Sequence, residues 1–314
     1  MHTPRLRETN DCGYHFATKK LFGVFMAYEW QNRAKAAHGI VRLATVSIEE
    51  VGERIKTPKM FQLYIHKDKG LNASMIERCK AAKFDAIALT VDTIVSGNRE
   101  RCLRSGFTSP PRFTPASVLS YAIHPSWALN YMFREKFSLP NLQTHVDAGT
   151  NVAVSVAEYF NTMLDTSMDW KTAEKVRADW GGEFCLKGIM SIEDARRAAD
   201  IGCSGIVLSN HGGRQLDGSR SAFDQLDAVI QAVGDRLDVM IDGGIQRGTH
   251  VLKALSLGAK AVGLGRAYLF PLAVAGQRGV DRAMDLLAAE ITRDMKLMGA
   301  KSISDLGRAN VVAR

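Results

Sequence analysis

The sequence has few of the features that mark metal-binding, disulfide-bonded, membrane-spanning or nucleic-acid-binding proteins. Its five cysteines, spread over 314 residues, form no CxxC pair, so reduced thiols and no metal site are expected. No apolar run is long enough to span a bilayer, and the N-terminus lacks the apolar core of a secretory signal. Long runs of lysine and arginine are also missing, which disfavours a nucleic-acid partner. These absences favour a cytoplasmic protein.

The composition is that of an ordinary globular protein. Hydrophobic residues make up 46% of the chain and charged residues 24%. The length of 314 residues fits a single α/β barrel. The formal net charge of +8 suits an anionic substrate, an anionic cofactor or an acidic membrane surface equally well.

Strand and helix patterns alternate along most of the chain, which predicts parallel βαβ units and a (β/α)8 TIM barrel. A doubly wound sheet is the alternative, and the lack of GxGxxG after the first strand counts against its dinucleotide-binding version. The expected strands are Leu21–Ala27, Ile40–Ala44, Met60–Ile65, Ala86–Val91, Glu183–Lys187, Ile206–Ser209, Val239–Ile241 and Ala261–Leu264, of which the first two are weak. The expected helices are Glu29–His38, one capped by Ser47, Asn72–Lys83, Trp170–Trp180, Ile192–Ile201 capped by Ser191, Ala222–Val233, Thr249–Leu257 and Leu272 to about Met298.

Two segments depart from this alternation. Residues 1–20 are polar and unpatterned, so an irregular N-terminal segment is expected before a barrel domain at 21–314. Residues 101–165, here called the insert, contain no βα unit and several prolines. So long a connection is typical of a lid, a binding loop or a disordered insertion. Its aromatic and basic stretch around Trp127 and Arg134 could lie on a membrane surface or pack against the barrel.

Polar residues follow each of the later strands, where a barrel places its active site. The stretch Ser209-Asn210-His211-Gly212-Gly213-Arg214-Gln215-Leu216-Asp217-Gly218 carries a histidine and an arginine. Histidine can take a proton near neutral pH, and an arginine fork can hold a carboxylate in two hydrogen bonds. The other polar residues at strand ends are Gln62, Tyr64, Thr90, Asp92, Lys187, Asp242 and Arg266.

The last two strand ends have the composition of a barrel phosphate site. Asp242-Gly243-Gly244-Ile245-Gln246-Arg247 and Gly265-Arg266 offer backbone N–H groups, a helix N-terminus and arginines. A phosphate held there would place a cofactor over the barrel mouth. Lys187 would then lie under the cofactor's ring, where a lysine stabilises the negative charge of a reduced flavin.

Several of these runs together resemble the FMN-dependent α-hydroxy-acid dehydrogenase/oxidase family, over roughly residues 30 to 306. The matching runs are Phe61-Gln62-Leu63-Tyr64, Leu89-Thr90-Val91-Asp92-Thr93, Leu186-Lys187-Gly188, 209–217, Asp242-Gly243-Gly244 and Gly265-Arg266. The insert, with Ser105-Gly106-Phe107 and His124-Pro125-Ser126-Trp127-Ala128, is most similar to L-lactate dehydrogenases of this family that pass electrons to a membrane carrier.

The resemblance implies FMN as the cofactor and the oxidation of a small L-2-hydroxy acid, L-lactate first, to the 2-oxo acid. A mandelate or glycolate oxidase of the same family is the alternative substrate class. The site residues carried over from the family have four roles. They are His211 as active-site base with Asp92 as its partner; Arg99, Arg214 and Tyr64 at the substrate; Gln62, Thr90 and Lys187 at the flavin ring; and Asp242, Gly243, Gly244, Gly265 and Arg266 at the ribityl phosphate.

The resemblance also implies an electron acceptor (a quinone, a cytochrome or dioxygen), a homo-oligomer, and peripheral contact of the insert with the inner membrane. Two departures from the family pattern stand out. An arginine often follows Asp-Gly-Gly-Ile, but Gln246 stands here and Arg247 comes next, so phosphate binding would lean on Arg247 and Arg266. The first βα unit is shortened, and Tyr14 does not match the family's substrate-contacting tyrosine. A barrel with an open edge, and a truncated non-catalytic remnant, are therefore kept as alternatives.

Overall fold

The structure is a computed structural model that describes residues 24–27, 36–41, 46–55, 57–100, 104, 114–125, 129, 133, 141 and 162–312. The predicted irregular segment 1–20 lies outside these residues, as does most of the insert. The strands are β1 (Val24–Ala27), β2 (Ala36–Val41), β3 (Lys59–Leu63), β4 (Ala86–Thr90), β5 (Glu183–Ile189), β6 (Gly205–Leu208), β7 (Asp238–Asp242) and β8 (Ala261–Leu264).

These eight strands close into a barrel in chain order, which confirms the predicted TIM-barrel class. Strands β2 to β8 run parallel to one another, whereas β1 is antiparallel to both of its neighbours, β2 and β8. Only residues 28–35 join β1 to β2, and a parallel crossover needs about a dozen residues or more. The short connection therefore forces the reversal. The first βα unit is incomplete, as expected, yet β1 closes the edge that the sequence left open.

The predicted helix Glu29–His38 is wrong at its end, because residues 36–38 belong to β2 and the rest lies outside the described residues. The later helices agree closely with the predictions, except that the helix at Pro115–Ala122, within the insert, was not predicted. They are α1 (Ile48–Arg54), α2 (Lys69–Ala81), α3 (Pro115–Ala122), α4 (Trp170–Trp180), α5 (Ile192–Asp200), α6 (Ala222–Val233), α7 (Gly248–Ser256) and α8 (Arg266–Met298), followed by short 3₁₀ turns at Ile303–Asp305 and Arg308–Asn310.

Side-chain caps fix the starts of several helices. The Ser47 and Ser191 hydroxyls accept the backbone N–H groups of Glu50 and Asp194, as predicted for both serines. Helix α8 begins at Arg266, earlier than the predicted Leu272, and kinks where Gly276 adopts a φ of 59°. A residue without a Cβ tolerates that backbone, so the kink stands at the glycine.

Alternation along the strands divides apolar from polar side chains. Phe61 and Leu63 on β3 belong to the apolar core beneath the helices, where Phe61 meets Phe84 edge-on at 6.0 Å between ring centroids. Each such buried side chain contributes about 1.5–3 kcal/mol to folding. Gln62 lies between them in sequence and faces the barrel interior instead, because neighbouring strand residues point to opposite faces. The core thus occupies the outer layer, and buried polar groups gather inside the barrel.

One described residue of the insert, Asn141, is attached to the start of helix α1. The buried Asn141 side chain accepts the backbone N–H of Ile48 at 3.0 Å and donates to the Val46 carbonyl at 3.0 Å. Arg78, which pairs with Glu49 at 2.6 Å, also donates to the Asn141 side chain.

Within the described ranges no helix combines the length and apolarity needed to cross a membrane. The same residues contain no cluster of three or more side chains suited to a metal ion.

Candidate active site

A histidine and an aspartate meet at the carboxyl rim of the barrel. His211 follows β6 and Asp92 follows β4, and His211 Nδ1 lies 2.5 Å from Asp92 Oδ2. Both side chains are mostly buried. In the neutral ring this pairing makes Nδ1 the donor to the carboxylate, which leaves Nε2 as an acceptor for a proton. The pair therefore has the form of a general base held and charge-balanced by a carboxylate.

The backbone at His211 is unusual. Its φ of 53° lies in the left-handed region, and Gly212 and Gly213 continue there at 65° and 73°. A residue with a Cβ is strained in this region unless its surroundings hold it. The His211 N–H donates to the Ser209 hydroxyl at 3.1 Å, and the Asn210 side chain accepts the Gly213 N–H at 3.1 Å. These bonds stabilise a strained turn that directs the imidazole towards Asp92.

A buried lysine lies one strand away. Lys187 on β5 is 4% exposed, donates to the Ser209 hydroxyl at 3.0 Å and forms an ion pair with Asp242 at the end of β7. Next to it, Gly188 has a φ of 106° at a bulge in β5, and a Cβ there would stand 2.6 Å from Asp92 Cγ. Only glycine fits this approach. The Ser209 hydroxyl thus accepts hydrogen bonds from both the Lys187 ammonium and the His211 backbone N–H.

A neutral hydrogen-bond network lies inside the barrel between β3 and β4. Gln62 Nε2 donates to the Tyr64 hydroxyl at 3.0 Å and to the Thr90 hydroxyl at 2.9 Å. Burial, above all, raises the pKa of Tyr64 well above its ordinary value, and the negative charges of Asp92 and Asp242 raise it further. The phenol therefore stays protonated at neutral pH and can donate a hydrogen bond.

Two arginine-bearing loops touch each other at the rim. A Cβ on Gly97 would lie 2.2 Å from the Arg214 carbonyl oxygen, so the loop after β4 packs directly on the loop after β6. The Gln215 amide spans the contact, donating to the carbonyls of Asp92 at 3.1 Å and Val95 at 3.0 Å. Arg99 Nε is buried without a hydrogen-bond partner among the described residues. An unpaired buried guanidinium donor is costly in isolation, so it is suited to an anionic ligand.

The ends of β7 and β8 form a glycine-lined rim. Gly244 has a φ of 75° and Gly265 begins helix α8, and a Cβ at either position would meet nothing within 4 Å. No side chain caps the N-terminus of α8. Arg266 is exposed and makes no ion pair within the described part of the chain. Open space beside uncapped backbone N–H groups has the character of a phosphate cradle.

The neighbouring Arg247 has a different environment. Its guanidinium pairs with Glu290 on α8 at 3.0 Å, and the other Glu290 oxygen accepts the Gly248 N–H at 2.8 Å. That carboxylate already occupies the N-terminus of α7. Gln246 is exposed, and its backbone N–H donates to His250 Nδ1 at 3.3 Å. The start of α8, by contrast, has no such carboxylate among the described residues.

The structure brings most of the predicted site residues to one rim. His211 and Asp92 are in direct contact, Lys187 contacts Asp242, Gln62 contacts Tyr64 and Thr90, and the loops that carry Arg99 and Arg214 pack together. Sequence reasoning assigned no role to Ser209 or Gln215, although both stand within the motif around His211. The available signal was their position, with Ser209 two residues before His211 and Gln215 directly after Arg214.

Fold and site together define a (β/α)8-barrel enzyme whose polar residues gather at the carboxyl ends of its strands. The chain belongs to the FMN-dependent dehydrogenase family, whose sequence model matches residues 20–313. The predicted flavin-dependent oxidoreductase is confirmed, and FMN is its cofactor. The site residues fit this group: the open cradle before α8 has room for a phosphate, and the buried Lys187 lies deeper in the same barrel mouth.

Named relatives agree with this family. L-lactate dehydrogenase of Azorhizobium caulinodans is 41% identical over 286 residues, covering 89% of this chain and 74% of that protein. L-lactate dehydrogenase of Vibrio cholerae is 39% identical over 287 residues, covering 90% and 75%. Among solved structures, the monotopic membrane protein (S)-mandelate dehydrogenase matches with a TM-score of 0.81 at 33% identity, covering 87% of this chain and 72% of that one. Mandelate oxidase matches at 0.70 and 34%, covering 87% and 68%.

Proposed function

We propose that the protein oxidises a small L-2-hydroxy acid, with L-lactate as the principal substrate, to the 2-oxo acid. The observation that carries the proposal is the His211–Asp92 contact of 2.5 Å beside the packed loops of Arg99 and Arg214. A base next to two guanidinium groups suits a substrate with a hydroxyl and a carboxylate on adjacent carbons. The named L-lactate dehydrogenases at about 40% identity support lactate as that substrate.

His211 Nε2 takes a proton from the substrate, either from the hydroxyl or from C2. Asp92, bound to Nδ1, stabilises the imidazolium that results. Arg99 and Arg214 hold the carboxylate, which fixes the substrate's orientation towards the base. The Tyr64 hydroxyl donates a hydrogen bond to a substrate oxygen. Its raised pKa supports this role, because the phenol keeps its proton. The substrate thus loses one proton to the protein, and its oxidation also releases two electrons and a second hydrogen.

FMN supplies the acceptor for those two electrons. We assign Gln62, Thr90 and Lys187 to its ring and Asp242 to its ribityl chain. The Lys187 ammonium, fixed by Ser209 and Asp242, provides positive charge where a reduced flavin carries negative charge. The phosphate residues are Gly243, Gly244, Gly265 and Arg266, with the Gln246–Arg247 turn beside them.

The insert carries the surface through which we propose that the protein reaches its electron acceptor. Val118, Leu119 and Ile123 on and after α3 are 52%, 65% and 66% exposed, and Phe133 is 82% exposed. Apolar side chains standing in water on one segment suit a membrane surface. We infer peripheral membrane contact through the insert and a membrane quinone or cytochrome as the acceptor, with dioxygen as the alternative. Assembly as a homo-oligomer is proposed from the family alone.

The test is the visible spectrum of the purified protein under anaerobic conditions. FMN-loaded protein should bleach on addition of L-lactate, more slowly with glycolate and not with D-lactate. Bleaching by (S)-mandelate but not L-lactate would favour the second candidate, a mandelate dehydrogenase, which the match to (S)-mandelate dehydrogenase supports. Protein that stays colourless with added FMN would support the non-catalytic remnant and contradict the proposal.

A further inference from the structure

The end of the insert pairs with the segment that follows β3. The Lys67 N–H donates to the Met163 carbonyl at 3.0 Å, and the Asp165 N–H donates to the Ile65 carbonyl at 3.0 Å. These two bonds flank an isolated antiparallel bridge between His66 and Leu164. Two extended segments held in this way fix the side chains on each face against one another.

This pairing brings Leu164 against the proposed substrate tyrosine. Leu164 is 2% exposed and Tyr64 is 7% exposed, and the two form an apolar cluster of their own, apart from the main core. The polar end of Tyr64 is bound separately, by Gln62 at 3.0 Å. The ring is therefore held at two points, by a hydrogen bond at its hydroxyl and by a leucine from the insert against its carbon atoms.

We propose that Leu164 is a positioning residue for Tyr64, through which the end of the insert sets the enzyme's affinity for its hydroxy-acid substrate. The inference rests on the proposed role of Tyr64 at the substrate and assigns the insert a part in it. Leu164 acts through the tyrosine and makes no bond to the substrate in this account. A ring that loses its packing partner gains rotational freedom next to a cavity, so its hydroxyl is less often placed to contact the substrate and the substrate binds more weakly.

The experiment compares Leu164→Ala, Leu164→Met and Leu164→Val with the wild type, all loaded with FMN. Leu164→Ala should raise KM for L-lactate about tenfold while kcat, measured with a soluble dye, changes less than about threefold. Leu164→Met conserves volume and should restore KM to near the wild-type value. Leu164→Val removes less of the side chain and gives an intermediate value, which serves if the alanine variant does not accumulate. Leu226→Ala, at a buried leucine on α6, is the matched control and should leave KM unchanged.

A double-mutant cycle with Tyr64→Phe decides whether Leu164 acts through the tyrosine. Once the hydroxyl is gone there is nothing left to position, so adding Leu164→Ala to Tyr64→Phe should change KM by less than about twofold. An equal rise in KM with and without the Tyr64 hydroxyl would overturn the proposal. So would an unchanged KM in Leu164→Ala in an FMN-loaded, folded protein.

A second readout needs no turnover. Burial first, then the charges of Asp92 and Asp242, raise the pKa of Tyr64, while Arg99 and the Thr90 hydroxyl lower it. The raised pKa means that the Tyr64 phenol should ionise at a higher pH than an exposed tyrosine in the wild type, and at a lower pH in Leu164→Ala than in the wild type, because water then reaches the ring. The signal is the tyrosinate absorbance that Tyr64→Phe abolishes. If no hydroxy acid bleaches the flavin but this titration responds, the proposed function fails while the positioning contact stands; an unresponsive titration counts against the contact itself.

Discussion

Two regions of the barrel differ in how they contribute to the site. From β3 to β8 the strands run parallel, with one register shift at the bulge in β5, and every strand end supplies a polar residue to one rim. At β1 and β2 the chain reverses, and β1 runs against both neighbours. Only parallel strands bring their carboxyl ends to the same rim, so the site residues come from the parallel strands. The reversed strand serves closure, and we assign it no site residue.

The largest expected effect comes from removing the base in the regular region. His211→Gln should lower turnover of L-lactate by about 10²–10⁴-fold, because the amide cannot take the proton, while FMN stays bound. Stopped-flow bleaching and flavin absorbance measure the two quantities. The control is His124→Gln on an exposed histidine after α3, which should keep wild-type turnover. Equal losses in both variants would contradict a catalytic role for the regular region's histidine.

The buried ion pair between Lys187 and Asp242 tests how much the site residues of the same region contribute to the stability of the fold. Lys187→Met leaves the Asp242 carboxylate unpaired and should destabilise the protein by about 3 kcal/mol in denaturant unfolding. Adding Asp242→Asn should recover a large part of that loss, since the uncompensated charge is then removed. Lys175→Met, which breaks the exposed pair with Asp179, should cost less than about 1 kcal/mol. Similar costs for the two lysines would refute the view that Lys187 is held in a buried pair.

The contact between the two arginine loops gives a smaller effect. Gly97→Ala places a methyl group against the Arg214 carbonyl, so the loops must separate. KM for L-lactate should rise about tenfold because separating the loops displaces Arg99 and Arg214, which we assign to the substrate carboxylate. Gly307→Ala is the control, since a Cβ there meets nothing within 4 Å, and its KM should equal the wild type's. A tenfold rise in the control would show that the assay reports general loosening.

Hydrogen exchange compares the two regions directly. The β1–β2 ladder has three paired positions, whereas β4–β5 has five. Amides of Val24–Ala27 should exchange faster than those of Ala86–Thr90, because shorter ladders open at lower free energy. Peptide-level mass spectrometry resolves the two. Equal protection would mean that the reversed strand is as firmly held as the regular ones.

Much of the regular region was predictable from sequence. Strand periodicity and polar residues at strand ends placed Asp92 and His211 together although they stand 119 positions apart. The barrel rule supplies that contact once the strands are recognised. The apolar period of α6, Ala222–Val233, and the caps Ser47 and Ser191 were likewise read directly.

The rest depends on contacts that leave no local pattern. The reversal of β1 follows from its short connection to β2, and sequence periodicity did not reveal that connection because the pattern at Glu29–His38 predicts a helix. The pairing of Arg247 with Glu290, 43 positions away, cannot be distinguished in sequence from an arginine awaiting a phosphate. Ser209 and Gln215 resemble ordinary polar loop residues until their partners are seen. Leu164 lies at the end of a segment without helical or strand periodicity.

The pairing of β1 with β8 has a consequence for how the chain folds. Val24 pairs with Leu264, so the contact that completes the barrel joins two residues that are 240 positions apart (264 minus 24). Contacts this distant in sequence form slowly, because the entropy cost of closing a long loop comes before the hydrogen bonds that offset it. Strand β1 leaves the ribosome long before β8 and must therefore wait for it. Until then, the partly assembled barrel exposes two unpaired edges, and this interval is when the protein most needs protection from aggregation.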